Sequence, residues 1–304
     1  MLLQVFYFIL SIVGLYFGAE ISLEASERVG KAWKMSPLLI GMFIVGFGTS
    51  LPEFFVSQLA SYRGLYGMAL GNIIGSNIAN IFLILGICSL LYALGLESIE
   101  LRKQFIFHLI LSVIIGIIFY FQKINLITTG VMALFFVIYF YMNLKADKNN
   151  DSDNEVIEVD FKDYFKIIFG FILLYGAGEL LVFSGANIGR SWGISEFAIS
   201  AIFVAFGTSF PELVTALVAS YRKKDADIII GNVIGSNIFN GAFVLGSIGL
   251  YDFKLATNFN RELLALILVS IFMFILSKMK KRISKKYSIL LLPVYIYFVV
   301  IWLQ

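Results

Sequence analysis

Long apolar stretches alternate with short polar turns along almost the whole chain. A helix needs about 20 mostly apolar residues to cross the hydrocarbon core of a bilayer, and most of these stretches are about that long. The pattern therefore predicts an all-α integral membrane protein with ten transmembrane helices in two groups of five. The predicted helices cover residues 3–25, 36–61, 67–93, 104–121, 125–144, 163–187, 195–220, 227–250, 262–279 and 287–303.

Composition supports the choice of lipid as the surrounding solvent. The chain is 60% hydrophobic and 14% charged, with a mean hydropathy of +0.90, whereas soluble domains carry about 25% charged residues. A lipid bilayer is the expected partner, with no nucleic acid and no obligate protein partner indicated. The single cysteine, Cys88, is interpreted as a small buried hydrophobe. The single histidine, His108, is interpreted as a helix residue near the membrane interface and not as a metal ligand.

The basic residues indicate which way the chain is inserted. In the ten-helix arrangement, five of the 23 Lys and Arg residues lie on the side of the N-terminus and the other eighteen lie on the opposite side. Cytoplasmic loops carry an excess of Lys and Arg. This predicts a multi-pass protein of the cell membrane with both termini extracellular. The first apolar stretch has no basic residue before it, so we expect a retained helix and not a cleaved signal.

The two groups of five helices repeat one sequence. The motif GTSLPE at 48–53 returns as GTSFPE at 207–212, and GNIIGSN at 71–77 returns as GNVIGSN at 231–237. Glu20 and Trp33 likewise correspond to Glu179 and Trp192. Because five is odd, the second copy must enter the membrane inverted, an arrangement typical of transporters. The predicted domains are a first repeat at 1–145, an acidic cytoplasmic linker at 146–162 and a second, inverted repeat at 163–304.

Each copy places one acid beside a helix breaker in an otherwise uncharged span. Glu53 follows Pro52, and Glu212 follows Pro211. A proline inside a helix removes one backbone hydrogen bond, and a charge at the bilayer centre costs roughly 2.5–3.5 kcal/mol on insertion scales. No basic residue lies deep enough in a predicted span to pair with these acids. Protonation, a bound cation or water access could each stabilise them, and the weaker alternative is a pair of neutral structural glutamates.

The second repeated motif adds a stripe of polar side chains. Asn72, Ser76 and Asn80 are spaced by four residues and share one helix face, as do their counterparts Asn232, Ser236 and Asn240. Such residues also serve as hydrogen-bonding contacts between membrane helices. That alternative is preferred for Asn77 and Asn237, which lie off the stripe, and stays open for Asn72 and Asn232.

An oxygen-rich set of this kind suits calcium or sodium. Calcium takes 6–8 oxygen ligands, which two carboxylates, freed carbonyls and amide oxygens can supply. The sequence has no cluster of thiolates or imidazoles, so zinc, copper and iron fit poorly.

These motifs resemble the sodium/calcium exchanger family within the cation/calcium antiporter superfamily, in its prokaryotic type, over nearly the whole chain. The resemblance implies a transporter without enzymatic activity or cofactor, whose second, third, seventh and eighth helices enclose the transported calcium and sodium while the first and sixth helices slide. Glu53 and Glu212 would be shared by both ions. The remaining implied ligands are the carbonyls of Gly46, Thr49, Ala205 and Thr208, the sodium-binding Ser50, Ser76, Ser209 and Ser236, and the amides Asn80 and Asn240.

One position departs from the family pattern. Related prokaryotic exchangers often have Asn in the first copy and Asp in the second, whereas this chain has Asn80 and Asn240. Either the family Asp works protonated and neutral Asn replaces it with little loss, or calcium selectivity or the counter-ion differs. A calcium/proton antiporter of the same fold is the main alternative function, followed by a cation channel and, last, an intramembrane enzyme.

Overall fold

The computed structural model describes residues 2–147, 158–193, 207–255 and 258–302, and these residues are almost entirely helical. Two antiparallel pairs of two-residue strands join some of the loops. The helices are α1 Leu2–Ala32, α2 Pro37–Thr49, α3 Leu51–Tyr62, α4 Tyr66–Leu91, α5 Ile99–Tyr120, α6 Leu126–Asp147, α7 Phe161–Ser191, α8 Phe210–Tyr221, α9 Ala226–Tyr251, α10 Asn260–Lys278 and α11 Lys285–Trp302.

The helix lengths confirm a multi-pass membrane protein. In the ranges that the structure describes, eight helices are long and apolar enough to cross a bilayer, and the bent pair α2–α3 makes a ninth. The predicted helix at 195–220 lies partly outside the described residues. Its described part contains α8, which continues from a short 3₁₀ turn at Gly207–Ser209.

Two helix ends extend beyond the apolar stretches that predicted them. Helix α1 continues to Ala32, past the predicted end at residue 25. Its polar last turns are held by ion pairs, with Glu27 2.9 Å from Lys224 and Arg28 3.3 Å from Asp163. Hydropathy detects where a helix leaves the lipid, and it does not detect where the helix itself ends.

Helix α5 begins at Ile99 and not at the predicted residue 104. The hydroxyl of Ser98 accepts a hydrogen bond of 3.0 Å from the backbone N–H of Leu101, which caps the first turn of the helix. The cap lies in a polar segment, where hydropathy carries no signal.

Helices α4 and α9 lie at the centre of the molecule, because most of their apolar residues are buried inside the protein, while α1, α6 and α11 expose most of theirs. Helix α9 approaches α2 closely at two glycines. A Cβ atom added to Gly231 would lie 2.6 Å from the carbonyl oxygen of Leu38, and one added to Gly235 would lie 2.6 Å from Cα of Met42. Small residues let membrane helices pack backbone to backbone, so these glycines bring the two repeated motifs together.

The strands form two ladders that the helical pattern did not predict. Leu94–Gly95 (β1) pairs with Arg282–Ile283 (β4), and Lys123–Ile124 (β2) pairs with Phe253–Lys254 (β3). Each ladder joins a loop of the first half of the chain to a loop of the second half. Two-residue strands leave no periodicity in a sequence, so only the tertiary structure reveals them.

Helices α1 and α7 pack against each other over much of their length. A Cβ atom on Gly18 would lie 2.9 Å from the backbone nitrogen of Leu174, and one on Gly170 would lie 2.8 Å from that of Ser22. Glycine therefore keeps the two backbones close at these positions.

Candidate ion-binding site

Each repeated acid lies in the first turn of a helix, directly after a proline in the same turn. Helix α3 begins at Leu51 with Pro52 in its first turn, and α8 begins at Phe210 with Pro211 in its first turn. Proline is well tolerated there, because the first backbone N–H groups of a helix have no partner inside it. The span is bent by 42° between α2 and α3. Glu53 thus lies just after a bend in its span, and both acids lie in the first turn of a helix, where helix N-termini favour negative charge.

The amides on α4 and α9 lie at a second kind of break. A π-helical turn covers Ala79–Ile84, and another covers Phe239–Val244, so each begins one residue before Asn80 or Asn240. Such turns widen a helix locally and often occur at functional sites. The motif pattern identified Asn80 and Asn240 but not the π turns that present them.

The two carboxyl groups meet at the contact between the repeated motifs. Both glutamates are fully buried, and each accepts a hydrogen bond from a hydroxyl of the other copy of the motif. The hydroxyl of Ser50 donates to Oε1 of Glu212 at 2.8 Å, and that of Ser209 donates to Oε1 of Glu53 at 3.3 Å. Each acid is therefore held by a serine from the other copy of the motif.

The threonines and the outer asparagines repeat this crosswise arrangement. Thr49 donates to Oδ1 of Asn232 at 3.3 Å, and Thr208 donates to Oδ1 of Asn72 at 2.9 Å. Asn72 and Asn232 thus take part in hydrogen bonds between helices. These two asparagines position the threonines beside the acids.

The remaining serines make unequal contacts. Ser76 donates to Oε1 of Glu53 at 3.3 Å, whereas Ser236 donates to the carbonyl oxygen of Gly46 at 3.0 Å. Nine of the twelve predicted site residues thus take part in these hydrogen bonds. Asn80 and Asn240 follow Ser76 and Ser236 by about one helical turn on the same helices. The twelfth, Ala205, lies outside the described residues.

Several buried polar atoms of the predicted site residues lack a hydrogen-bond partner in the described parts of the chain. They are the Oε2 atoms of Glu53 and Glu212 and both side-chain amide atoms of Asn80 and of Asn240. Buried polar atoms are normally paired, so these atoms indicate a missing ligand. The two carboxylates and two amides offer six oxygens, which is enough to begin a calcium shell.

The charges around the site favour a cation. None of the ion pairs among the described residues involves Glu53 or Glu212. The same residues contain no group of three or more His, Cys, Asp or Glu side chains that could hold a metal. The site is therefore built from two carboxylates, hydroxyls and amides, which suit calcium and sodium better than transition metals.

This arrangement agrees with what comparison with known families shows. A family profile described as sodium/calcium exchanger protein matches residues 3–145 and 163–304. The chain belongs to the sodium/calcium exchanger family. It is a multi-pass membrane transporter that exchanges cations for calcium and is not an enzyme.

Relatives of this exchanger match it over most of their length. It is 32% identical to an uncharacterized membrane protein of Methanocaldococcus jannaschii over 97% of each chain. It is 28% identical to the sodium/calcium exchanger MaX1 of Methanosarcina acetivorans, covering 80% of this chain and 83% of that one. A solved structure of the sodium-calcium exchanger NCX_Mj, soaked with zero Na⁺ and Ca²⁺, has a TM-score of 0.84 at 31% identity and 99% coverage of both chains.

Behind the ion site, the exchanger contains a polar cluster that the sequence did not reveal. The side-chain amides of Asn77 and Asn237 donate to each other's backbone carbonyls at 3.3 and 3.1 Å, as expected for contacts between helices. Asn237 also contacts Nε2 of His108 at 3.2 Å, and Nδ1 of His108 lies 2.6 Å from the hydroxyl of Ser270.

His108 lies near the middle of α5 with its side chain 2% exposed, and not towards one end of the span as predicted. The hydroxyl of Ser270 donates to the carbonyl of Leu266 at 2.6 Å, so it accepts from Nδ1–H of His108. Nε2 then accepts from Asn237. A lone polar residue in an apolar stretch gives no sign of its partners, since both come from distant helices.

Proposed function

We propose that this exchanger moves sodium ions against calcium by alternating access, with the ions held between Glu53 and Glu212. The observation that supports this most is the pair of fully buried carboxylates, each with an unpaired Oε2 and no basic partner among the described residues. An unpaired buried charge is costly. One calcium ion or two sodium ions would neutralise the pair, so the two substrates compete for the same charges.

The surrounding oxygens can be divided between the two ions. Calcium would take the carboxylates and the amide oxygens of Asn80 and Asn240, with backbone carbonyls completing its shell. The proposed carbonyls are those of Gly46, Thr49 and Thr208, together with Ala205, which lies outside the described residues. Sodium would use the hydroxyls of Ser50, Ser76, Ser209 and Ser236, which now donate to carboxylate or carbonyl oxygens.

For the architecture we propose ten helices in two inverted repeats, at 1–145 and 163–304, joined by the acidic linker at 146–162. The crosswise hydrogen bonds between the two motifs and the two strand ladders support this division. The distribution of Lys and Arg supports a cell-membrane location with the linker in the cytoplasm and both termini outside.

Alternating access would arise from sliding of α1 and α7 over the ion-binding helices. The close backbones at Gly18 and Gly170 couple α1 to α7 as one unit. Inverted repeats favour such a motion, because exchanging the conformations of the two copies converts one state into the other.

The deciding experiment measures calcium uptake into vesicles containing the purified protein, with pH clamped on both sides. We expect an outward-directed sodium gradient to drive uptake, and we expect uptake to stop when sodium is replaced by choline. Two buried carboxyl groups could also carry protons, so a second arm applies a pH gradient without sodium. Uptake in that arm alone would establish a calcium/proton antiporter, and uptake without any opposing ion would establish a channel.

A single substitution tests the departure at Asn240. We expect Asn240→Asp to change calcium affinity by less than about tenfold, because a third buried acid beside Glu53 and Glu212 would enter the site neutral. Isothermal titration with calcium measures the change, and Asn80→Asp is the matched control. A gain well beyond tenfold in Asn240→Asp alone would show that this chain differs from its relatives in selectivity.

A further inference from the structure

One ion pair joins α1 to the end of α8. Nη2 of Arg222, in the turn after α8, contacts Oε1 of Glu20 and also donates to the hydroxyl of Tyr16 at 3.0 Å. The side chain of Glu20 is 19% exposed and that of Arg222 is 43% exposed. We call these three residues the first latch, because they tie the proposed moving helix to the ion-binding helices.

The internal repeat contains a second copy of the same three residue types. Tyr175, Glu179 and Arg63 lie 159 positions from Tyr16, Glu20 and Arg222, respectively. This is the same shift that relates Glu53 to Glu212. We call these residues the second latch. In both latches the Tyr and Glu are spaced i, i+4 on one helix, and the Arg follows the helix that begins at the repeated proline.

The second latch is not assembled in this structure. Glu179 is exposed, and no ion pair or hydrogen bond joins Arg63 to it in the described part of the chain. Helix α1 packs along α8, whereas α7 makes no comparable packing along α3. One end of the molecule is therefore closed by α1, and the corresponding end of α7 is apart from its repeat partner.

We infer that the two latches form alternately, one closing each side of the membrane in the two states of the transport cycle. The inference rests on the proposed alternating access. The inverted repeat puts the first latch near the proposed cytoplasmic surface and the second near the proposed extracellular one. Exchange of the two conformations would break the contact of Arg222 with Glu20 and bring Arg63 onto Glu179.

The closed end also has an ion pair without a counterpart. Glu27 pairs with Lys224 at 2.9 Å, but the positions that correspond to them by the same shift hold Ala186 and Leu65. The state in which the first latch is formed therefore has an additional ion pair, and this favours it over the opposite state.

Distances across the two ends test the inference. Spin labels are placed on matched exposed positions in a Cys88→Ala background, at Trp33 with Tyr221 for the first end and at Trp192 with Tyr62 for the second. The full-length protein is reconstituted in nanodiscs, and pulsed electron resonance records both distance distributions with sodium, with calcium and with neither ion.

We expect the two neutralising variants to act in opposite directions. Glu20→Gln should raise the ratio of the state open at the first end to the state closed there by roughly two- to fivefold. Glu179→Gln should lower the same ratio by a similar factor, as expected for partly exposed ion pairs. Glu24→Gln is the control for loss of charge on α1, because Glu24 makes no ion pair among the described residues, and it should leave both distributions unchanged. The exchanged pair Glu20→Arg with Arg222→Glu should restore the wild-type ratio.

The possible failures can be told apart. If the wild-type distances exchange but the two variants shift in the same direction or not at all, the latches are refuted and alternating access stands. If the wild-type distances do not respond to ions, both alternating access and the latches are refuted.

Discussion

At the centre of the exchanger most contacts of the two copies match, apart from those of Ser76 and Ser236, whereas towards the ends of the helices the copies make different contacts. Ser50 and Ser209 each donate to the acid of the opposite copy. Near the ends, Arg222 contacts Glu20 while Arg63 has no such contact with Glu179. The same sequence relation therefore gives symmetry in one region and asymmetry in another.

This difference is informative about how such a protein changes state. Contacts near the pseudo-twofold axis of an inverted repeat can be kept when the two copies exchange conformations. Each such contact is then replaced by the equivalent contact of the other copy. Contacts made by only one copy must break when the exchange occurs. Under the proposed alternating access, the central hydrogen bonds would therefore define the ion site in both states, and the peripheral ion pairs would distinguish one state from the other.

The largest expected effect tests the equivalence of the two acids. We expect Glu53→Gln and Glu212→Gln each to reduce sodium-driven calcium uptake at least about 100-fold, since each removes a buried charge worth roughly 3 kcal/mol to the bound ion. Asp252→Asn, which neutralises an exposed acid paired with Lys123, should leave uptake unchanged. Near-normal uptake in either glutamine variant would remove that acid from the site.

The serines that hold the acids should give a smaller and nearly equal pair of effects. Ser50→Ala and Ser209→Ala each remove one hydrogen bond to a carboxylate, which is worth roughly 1.5–3 kcal/mol, and we expect uptake at low sodium to fall roughly tenfold. The loss should be somewhat greater for Ser50→Ala, because its hydrogen bond is 2.8 Å against 3.3 Å. A loss of uptake in only one variant would show that the two halves of the site are not equivalent, although their hydrogen bonds match.

The histidine cluster should affect stability more than transport. His108→Phe leaves the amide of Asn237 without its contact to Nε2, and we expect the free energy of unfolding in detergent to fall by about 1–3 kcal/mol. His108→Gln retains an acceptor and should cost less. Circular dichroism during thermal unfolding measures both variants, and an unchanged midpoint in His108→Phe would contradict the proposed contact.

The smallest effect is expected where one copy already lacks a polar group. Gln58 donates to Ser247 at 2.5 Å and accepts from Tyr251 at 3.3 Å, whereas the corresponding position in the second copy is Leu217. Gln58→Leu should lower the free energy of unfolding by about 1 kcal/mol or less and leave uptake intact. A large loss of uptake would place Gln58 on the ion path and would contradict the expectation that an apolar residue suffices at this position in both copies.

Much of the fold and the site follows from particular stretches of sequence. Apolar length predicted the membrane helices, and the repeat of GTSLPE and GNIIGSN identified the residues that meet at the centre. The ends of α1 and α5 were missed because their last or first turns are polar and leave the apolar stretch. His108 was misplaced because its partners, Asn237 and Ser270, come from helices far away in the chain.

The sequence by itself determined that the chain lies in lipid, that it contains one unit twice and that each unit contributes one buried acid. These properties depend on residue type and on spacing within a single helix, which a linear pattern records. Only the tertiary structure decided which serine holds which acid, where π turns lie at Asn80 and Asn240 and at which end Arg222 contacts Glu20. Those features depend on how distant helices pack against each other, which residue spacing within a single helix does not record.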